Sequence, residues 1–305
     1  MRRLHANFLL LTAALIWGVT FSVQQMAMEH IGPTLFTGLR FLLGALVVLP
    51  LAVLEVRKKR KQEGWTLDKD AVPWLVVTGG VLFIAALLQQ IGIKNTTVAN
   101  AGFLTALYVP LTPVLALIIL RQKPHPAIWP AAMACLAGAY LMAGGQLDTM
   151  REGDIWVVAG ALFWATHILL IAAMTARTGA PLVVAVAQFF VCGVLGLTWG
   201  GMTETLTWDG LLGALPMLAF AGVVSVGIGF TLQVVGQRHT PAADASIILS
   251  AETVFAAITG ALLLGEVLST LGIAGGALIL VGVLAVELLP LTFAGVRVRG
   301  KAGDG

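Results

Sequence analysis

Ten runs of roughly twenty apolar residues, separated by short breaks, dominate this chain. A helix needs about 20 apolar residues to cross a bilayer's hydrocarbon core, so each run predicts a membrane span. The runs are Asn7–Met26, Pro33–Leu54, Val72–Ile91, Thr97–Leu120, Ala127–Ala143, Ile155–Met174, Pro181–Trp199, Leu211–Val235, Pro241–Leu264 and Leu268–Leu288. Several breaks carry Gly, Pro or Asp, as helix connections do. The longest, "EVRKKRKQEGWTLDKDAV", reads as a charged loop. Only 11% of the 305 residues are charged, about half the share usual in soluble domains. The fold class expected is an all-α polytopic membrane protein. The first run follows a basic tip, like a secretory leader, but shows no cleavage site before Gln24 and reads as a retained span. Cys135 and Cys192 fall inside apolar runs and read as packing residues.

Charge fixes a direction. With the N-terminus cytoplasmic, fifteen Lys and Arg residues fall on one side, including Arg2, Arg3, the cluster Arg57–Lys61, Arg177, Arg238 and Arg297. The other side holds Lys94 and Arg151, and Arg40 lies within a span. This is the positive-inside asymmetry, and it predicts that both termini are cytoplasmic. The basic cluster serves as a topology signal or attracts anionic lipid.

The halves resemble each other. "LLQQIGIKNTTVANAGFL" (Leu87–Leu104) aligns without gaps on "TLQVVGQRHTPAADASII" (Thr231–Ile248), placing Gln89 on Gln233, Thr96 on Thr240 and Asn100 on Asp244. Nearer the starts of the halves, "AALIWG" matches "GALFWA" and sets Trp17 opposite Trp164. Five helices per repeat invert the second copy relative to the first. Inverted repeats give two related conformations, the symmetry of alternating access, with a site near mid-depth. The competing reading is an old duplication without transport.

"AALIWG", "GPTLFTGLRFLLGAL" and "ETVFAAITGALLLGEVLS" resemble the EamA repeat of the drug/metabolite transporter superfamily across both halves. The resemblance implies ten helices as two inverted five-helix repeats around a central cavity: residues 1–147, residues 148–290 and a cytoplasmic tail at 291–305. It also implies export of small metabolites across the bacterial inner membrane, as by amino-acid exporters of the YddG type. Two departures stand out. Gly265–Glu266 has Arg121–Gln122 as its first-half counterpart, and Glu252 is followed by Thr253 where family members often carry Pro.

Polar and aromatic residues on helix faces mark where a solute would sit. Trp17, Thr20 and Gln24 share a stripe on the first run, Thr105 and Tyr108 lie on the fourth, and Trp164 and His167 on the sixth. Trp17, Trp164 and Tyr108 either line a cavity or simply pack. His167 is a core histidine, a solute contact or a proton acceptor. Glu252 sits near mid-depth, where an ionised group is costly, and it matches Tyr108 by the repeat. It pairs with a solute cation, couples transport to protons, or hydrogen-bonds as a neutral acid. Gln89 and Gln233 are expected near opposite faces as gates or helix-end hydrogen bonders. Arg40 binds a carboxylate or, as a structural charge, caps a neighbouring helix. Glu55 and Glu287 reach the interface, with no transport role.

Enzymatic motifs are missing from the sequence. His5, His30, His125, His167 and His239 are scattered, and neither an H-E-x-x-H helix nor a Walker A pattern occurs. The expectation is no catalysis, no cofactor, no metal and no nucleic-acid partner. The expected partners are membrane lipids and a small solute, an amino acid or amphipathic metabolite, handled by a monomer. Cationic drugs or dyes exchanged for protons are the alternative cargo; a lipid flippase or membrane-embedded enzyme is a further alternative.

Overall fold

The computed structural model describes residues 3–142, 151–267 and 269–300, with side chains as far as Val286. The expected junction of the halves at 147/148, residues 301–305 of the tail, and the side chain of Glu287 lie outside the described residues. So do Ala143 and Leu268, the ends of two expected runs.

The described residues form helices. In the first half these are α1 (Arg3–Ala27), α2 (Pro33–Glu63), α3 (Val72–Lys94), α4 (Val98–Thr105), α5 (Tyr108–Ile119) and α6 (Ile128–Met142). The second half has α7 (Glu152–Thr178), α8 (Pro181–Thr203) and α9 (Trp208–Ala219), which runs through a π-helical stretch (Phe220–Phe230) into α10 (Thr231–Gln237). It ends with α11 (Ala242–Leu249), α12 (Glu252–Leu264) and α13 (Thr270–Gly300).

Eight of the ten expected runs form helices, or broken helix pairs, long and apolar enough to cross a membrane. The other two correspond to α6 and to the start of α13, whose apolar stretches among the described residues are Ile128–Met142 and Thr270–Val286. The 15 described residues of α6 rise about 22 Å. Pro124 and Pro126 hold the preceding residues out of helical geometry, which delays its start. The loop expected after Leu54 is half helix. Its Lys, Arg, Glu and Gln are good helix formers, Lys59 meets Glu63 at 3.3 Å, and α2 stops only at Gly64, in left-handed conformation (φ 62°).

The bundle is apolar outside and polar inside. Leu46, Ile118, Phe190 and Leu262 are exposed, while Gln24, Arg40, Gln90, His167, Gln188 and Glu252 are buried. A water-soluble fold does the reverse. Hydrocarbon solvates the first set, and the second must find partners inside.

Without a hydrophobic drive between helices in lipid, close backbone approach holds a bundle together, and small residues permit it. Here α2 packs along α8, α6 along α13 and α3 along α7, each pair joining the two halves. A Cβ on Gly196 would stand 2.6 Å from Gly38 Cα, and one on Gly138 would stand 2.5 Å from Gly275 O. The contact order shows that α2 and α8 run antiparallel. Gly200 meets Leu35, Gly196 meets Gly38 and Gly193 meets Leu42. Carboxylates close both ends of this pair. Glu204, just past α8, accepts from Thr34 N at 2.9 Å and Leu35 N at 2.8 Å; Glu55 of α2 accepts from Leu182 N at 3.0 Å. Each neutralises the unsatisfied N–H groups of the facing helix start. Glu55 therefore has a structural partner at the start of α8.

Replacing Gly38 by Leu forces α2 off α8 and should cost about 1–3 kcal/mol or more. Gly201→Leu, at a position with open space around it, should cost little. Thermal unfolding of the two purified variants in one detergent checks this, and equal losses would deny that the Gly38–Gly196 contact matters.

Candidate functional site: a chamber between the halves

Two of the membrane-crossing units are broken at the same repeat position. Helix α4 ends at Thr105 and α5 begins at Tyr108; α11 ends at Leu249 and α12 begins at Glu252. The joints use i to i+3 bonds, Val109 N to Ala106 O at 3.0 Å and Thr253 N to Ser250 O at 3.0 Å. Pro110 has no N–H for the Ala106 carbonyl, and its position in the first turn of α5 is one proline tolerates. In the second half the Ser250 hydroxyl donates to Ile247 O at 2.6 Å, diverting a carbonyl from the regular ladder. Tyr108 and Glu252 are thus each the first residue of a half-helix. A helix start carries partial positive charge, which favours a carboxylate there.

Both residues line one cavity, walled by α1 (Trp17, Phe21, Gln24), α2 (Arg40), α3 (Gln89) and the two breaks (Thr105, Tyr108, Leu249, Glu252). Trp164 and Ile168 from α7, Ser225 and Phe230 from the π-helical stretch, and Gln233 from α10 complete it. Phe230 is the aromatic hub, its ring 4.5 Å from Trp17, 5.5 Å from Phe41 and 6.0 Å from Trp164. A π-helix inside an α-helix commonly marks a functional position. Here it contributes Ser225 and Phe230.

Of twelve buried polar side-chain atoms without a hydrogen-bond partner among the described residues, six line the chamber: Trp17 Nε1, Arg40 Nε, Tyr108 Oη, Trp164 Nε1, Ser225 Oγ and Gln233 Oε1. The Tyr108 hydroxyl sits beside the Glu252 carboxyl but too loosely for a hydrogen bond of normal geometry. Buried polar groups are normally satisfied, so this concentration sets the chamber apart from ordinary core.

The other expected site residues divide. Thr20 faces away, donating to Ile16 O of its own helix at 2.7 Å. His167 lies behind the wall, fully buried, with Nε2 2.7 Å from Gln188 Oε1 and its ring against Trp164 and Phe230. Gln24 lines the chamber and donates to Gln90 Oε1 at 2.7 Å. Gln89 and Gln233, expected at opposite faces, stand on the wall of the same cavity. Gln89 donates to Thr105 Oγ1 at 3.0 Å, whereas the repeat counterpart of Thr105 is Leu249, which offers Gln233 no hydroxyl. The duplicated wall is chemically lopsided at this point. Arg40, expected to bind a carboxylate or cap carbonyls, faces the chamber, with its guanidinium 5.1 Å from the Phe41 ring and 5.5 Å from the Phe36 ring.

Sequence reading passed over Phe21 and Ile168, though each lies four residues after a chamber tryptophan and so on its helical stripe. Leu249 was signalled by its pairing with Thr105. Ser225 and Phe230 carry no such signal, because a π-helical turn shifts the face that α-helical spacing assigns.

Polar pairs bridge the halves at both ends of the bundle. Thr240 donates to Asn7 Oδ1 at 2.8 Å at one end, beside the ion pair of Arg3 with Asp244. At the other, Thr96 donates to Asp154 Oδ1 at 2.7 Å and Asn100 to the same oxygen at 2.6 Å. The two clusters occupy equivalent positions: Thr96 matches Thr240, Asn100 matches Asp244, and the tryptophan register matches Asn7 with Asp154.

A multi-pass helical bundle whose halves enclose a polar, aromatic-walled chamber at broken helices has the build of a membrane transporter. The profile of the EamA-like transporter family matches residues 4–144 and again 151–288, and the chain belongs to that family. An uncharacterized transporter of Archaeoglobus fulgidus is 28% identical over 94% of this chain and 87% of its own length. A riboflavin transporter of Vibrio cholerae is 27% identical over 53% of each chain. One crystal structure at 22% identity superposes with a TM-score of 0.76 over 93% of this chain and 99% of the other, which shows a shared fold.

Replacing Phe230 by Ala removes the hub of the aromatic wall and should cost about 3–5 kcal/mol if the surroundings do not collapse. Intrinsic fluorescence should also change, because Trp17 and Trp164 both lose their ring contact. An unaltered emission spectrum in a folded variant would contradict the arrangement.

Proposed function

We propose that this chain is a secondary transporter that exports small metabolites, amino acids foremost, across a bacterial inner membrane by alternating access. Both termini are cytoplasmic in this reading, in keeping with the partition of Lys and Arg. The observation that carries it is the chamber itself: six unpartnered buried polar atoms on walls drawn from both halves, at the level of two helix breaks. Antiparallel packing of the repeat-equivalent helices α2 and α8 supports inversion of the halves. The equivalent polar clusters at the two ends supply matching latches, and opening one while the other holds is what alternating access requires.

Glu252 is the group best placed to couple transport to protons, being 5% exposed and flanked by one tyrosine in a chamber otherwise poor in acids. The same acid, in an aromatic-walled chamber, favours a second reading in which cationic amphiphiles are exchanged for protons. A proteoliposome screen with amino acids and cationic dyes, with and without a pH gradient, separates the two. Saturable amino-acid counterflow supports the exporter; dye movement alone supports the second reading. Glu252→Gln should lower the transport rate about tenfold or more, the equivalent of losing one charge-assisted hydrogen bond. Unchanged rates and pH dependence would remove Glu252 from the mechanism.

The latches are tested by labelling Ser225→Cys with an impermeant thiol reagent, in a background where Cys135 and Cys192 are Ala. Thr240→Val should bias labelling to one side of the membrane and Asp154→Ala to the other. The same bias in both variants would contradict separate latches.

A further inference from the structure

We infer that Arg40 is the anion anchor of the chamber and that the cargo therefore carries a carboxylate. The inference rests on the transport reading above and assigns the cargo's chemistry at that site.

Arg40 lies in α2 seven residues after Pro33, about 10 Å into the helix at the standard rise. It is 3% exposed and faces the chamber. A guanidinium stays charged in a protein, so this is a fixed cation within the span. Such a charge normally pairs with an acid or with backbone carbonyls. Arg40 does neither among the described residues. The ion pairs there are Arg3–Asp244, Lys59–Glu63 and Arg177–Asp68, and Arg40 Nε has no hydrogen-bond partner. The neighbouring ionisable group is the Cys192 thiol, which is no counter-ion when protonated. Phe36 and Phe41 offer ring faces at 5.5 and 5.1 Å, which hold the guanidinium plane but supply no negative charge.

A preorientated guanidinium with its fork unused matches the planar carboxylate, which takes two parallel N–H donors. Ser225, also on the chamber wall, has a hydroxyl without a partner to assist. Glu252 lines the same chamber and makes no ion pair with Arg40. The two groups make no ion pair with each other in one cavity, so a solute that bears a carboxylate at one end and an ammonium at the other has a partner for each. Cargo that is only cationic would leave Arg40 uncompensated and add like charge.

Calorimetric titration of the purified chain in lipid nanodiscs tests the assignment with matched ligands: leucine and tryptophan, their amides, and the corresponding acids without the amine. The unaltered protein should bind acids and amino acids more tightly than the amides. Arg40→Gln should lower affinity for the carboxylates about 10- to 100-fold and leave the amides unchanged, with Arg40→Lys in between. A parallel loss for acids and amides, or no loss for either, overturns the assignment. Should the variants fail to fold, the unaltered protein still decides, because the absence of any acid preference in it overturns the assignment too. Carboxylate-selective binding without counterflow in proteoliposomes would uphold Arg40 as anchor while removing the transport reading.

Discussion

A polar group placed in hydrocarbon must be turned toward protein or water, since lipid offers it nothing to bond with. Most of this structure follows from that constraint. The exposed faces of the helices are Leu, Ile, Val and Phe, and the glutamines, the single mid-span arginine and Glu252 are drawn inward. Most of those inward groups then satisfy one another. Gln24 bonds Gln90, His167 bonds Gln188, and Gln89 bonds Thr105. Half of the twelve buried polar atoms left without a partner among the described residues line one cavity. The chamber is thus recognised by its surplus of hydrogen-bonding capacity more than by its size.

Close packing and chamber are two outcomes of one arrangement. Glycine pairs draw α2 against α8 and α6 against α13 so tightly that no side chain fits between. The chamber opens where that contact gives way to the breaks at Ala106–Leu107 and Ser250–Ala251 and to the π-helical turn. These are the places where backbone hydrogen bonding is least regular. They are also where Tyr108, Glu252, Ser225 and Phe230 enter the wall, so each irregular stretch of backbone borders the cavity on one side. The polar clusters at the two ends, Asn7 with Thr240 and Asp154 with Thr96, complete an enclosure built twice from equivalent positions.

Much of the architecture was legible in the sequence, because a bilayer imposes a length scale and a polarity scale that apolar runs and Lys/Arg counts report directly. The tryptophan pair, Tyr108, Gln24, Thr105 and Glu252 were legible from helical stripes and from the repeat. Three things were not. The basic stretch after Leu54 contains a helix whose propensity outweighs its charge, which hydropathy alone cannot show. The break before Glu252 lacks Gly or Pro and depends on a serine back-bond. The rotamers of Thr20 and Arg40 are the third: a stripe gives the side of a helix, whereas a rotamer and its neighbours decide whether a side chain bonds its own backbone, as Thr20 does, or faces a cavity, as Arg40 does.

The central claim is that this chamber is where a solute rests on its way across the membrane. The most direct measurement is an experimental structure of the chain in lipid with saturating amino acid present. The account predicts density for the solute between Arg40 and Glu252, against the indoles of Trp17 and Trp164, with the cavity polar and free of acyl chains. A lipid tail filling that space, with solute absent or bound only at the surface, would contradict it.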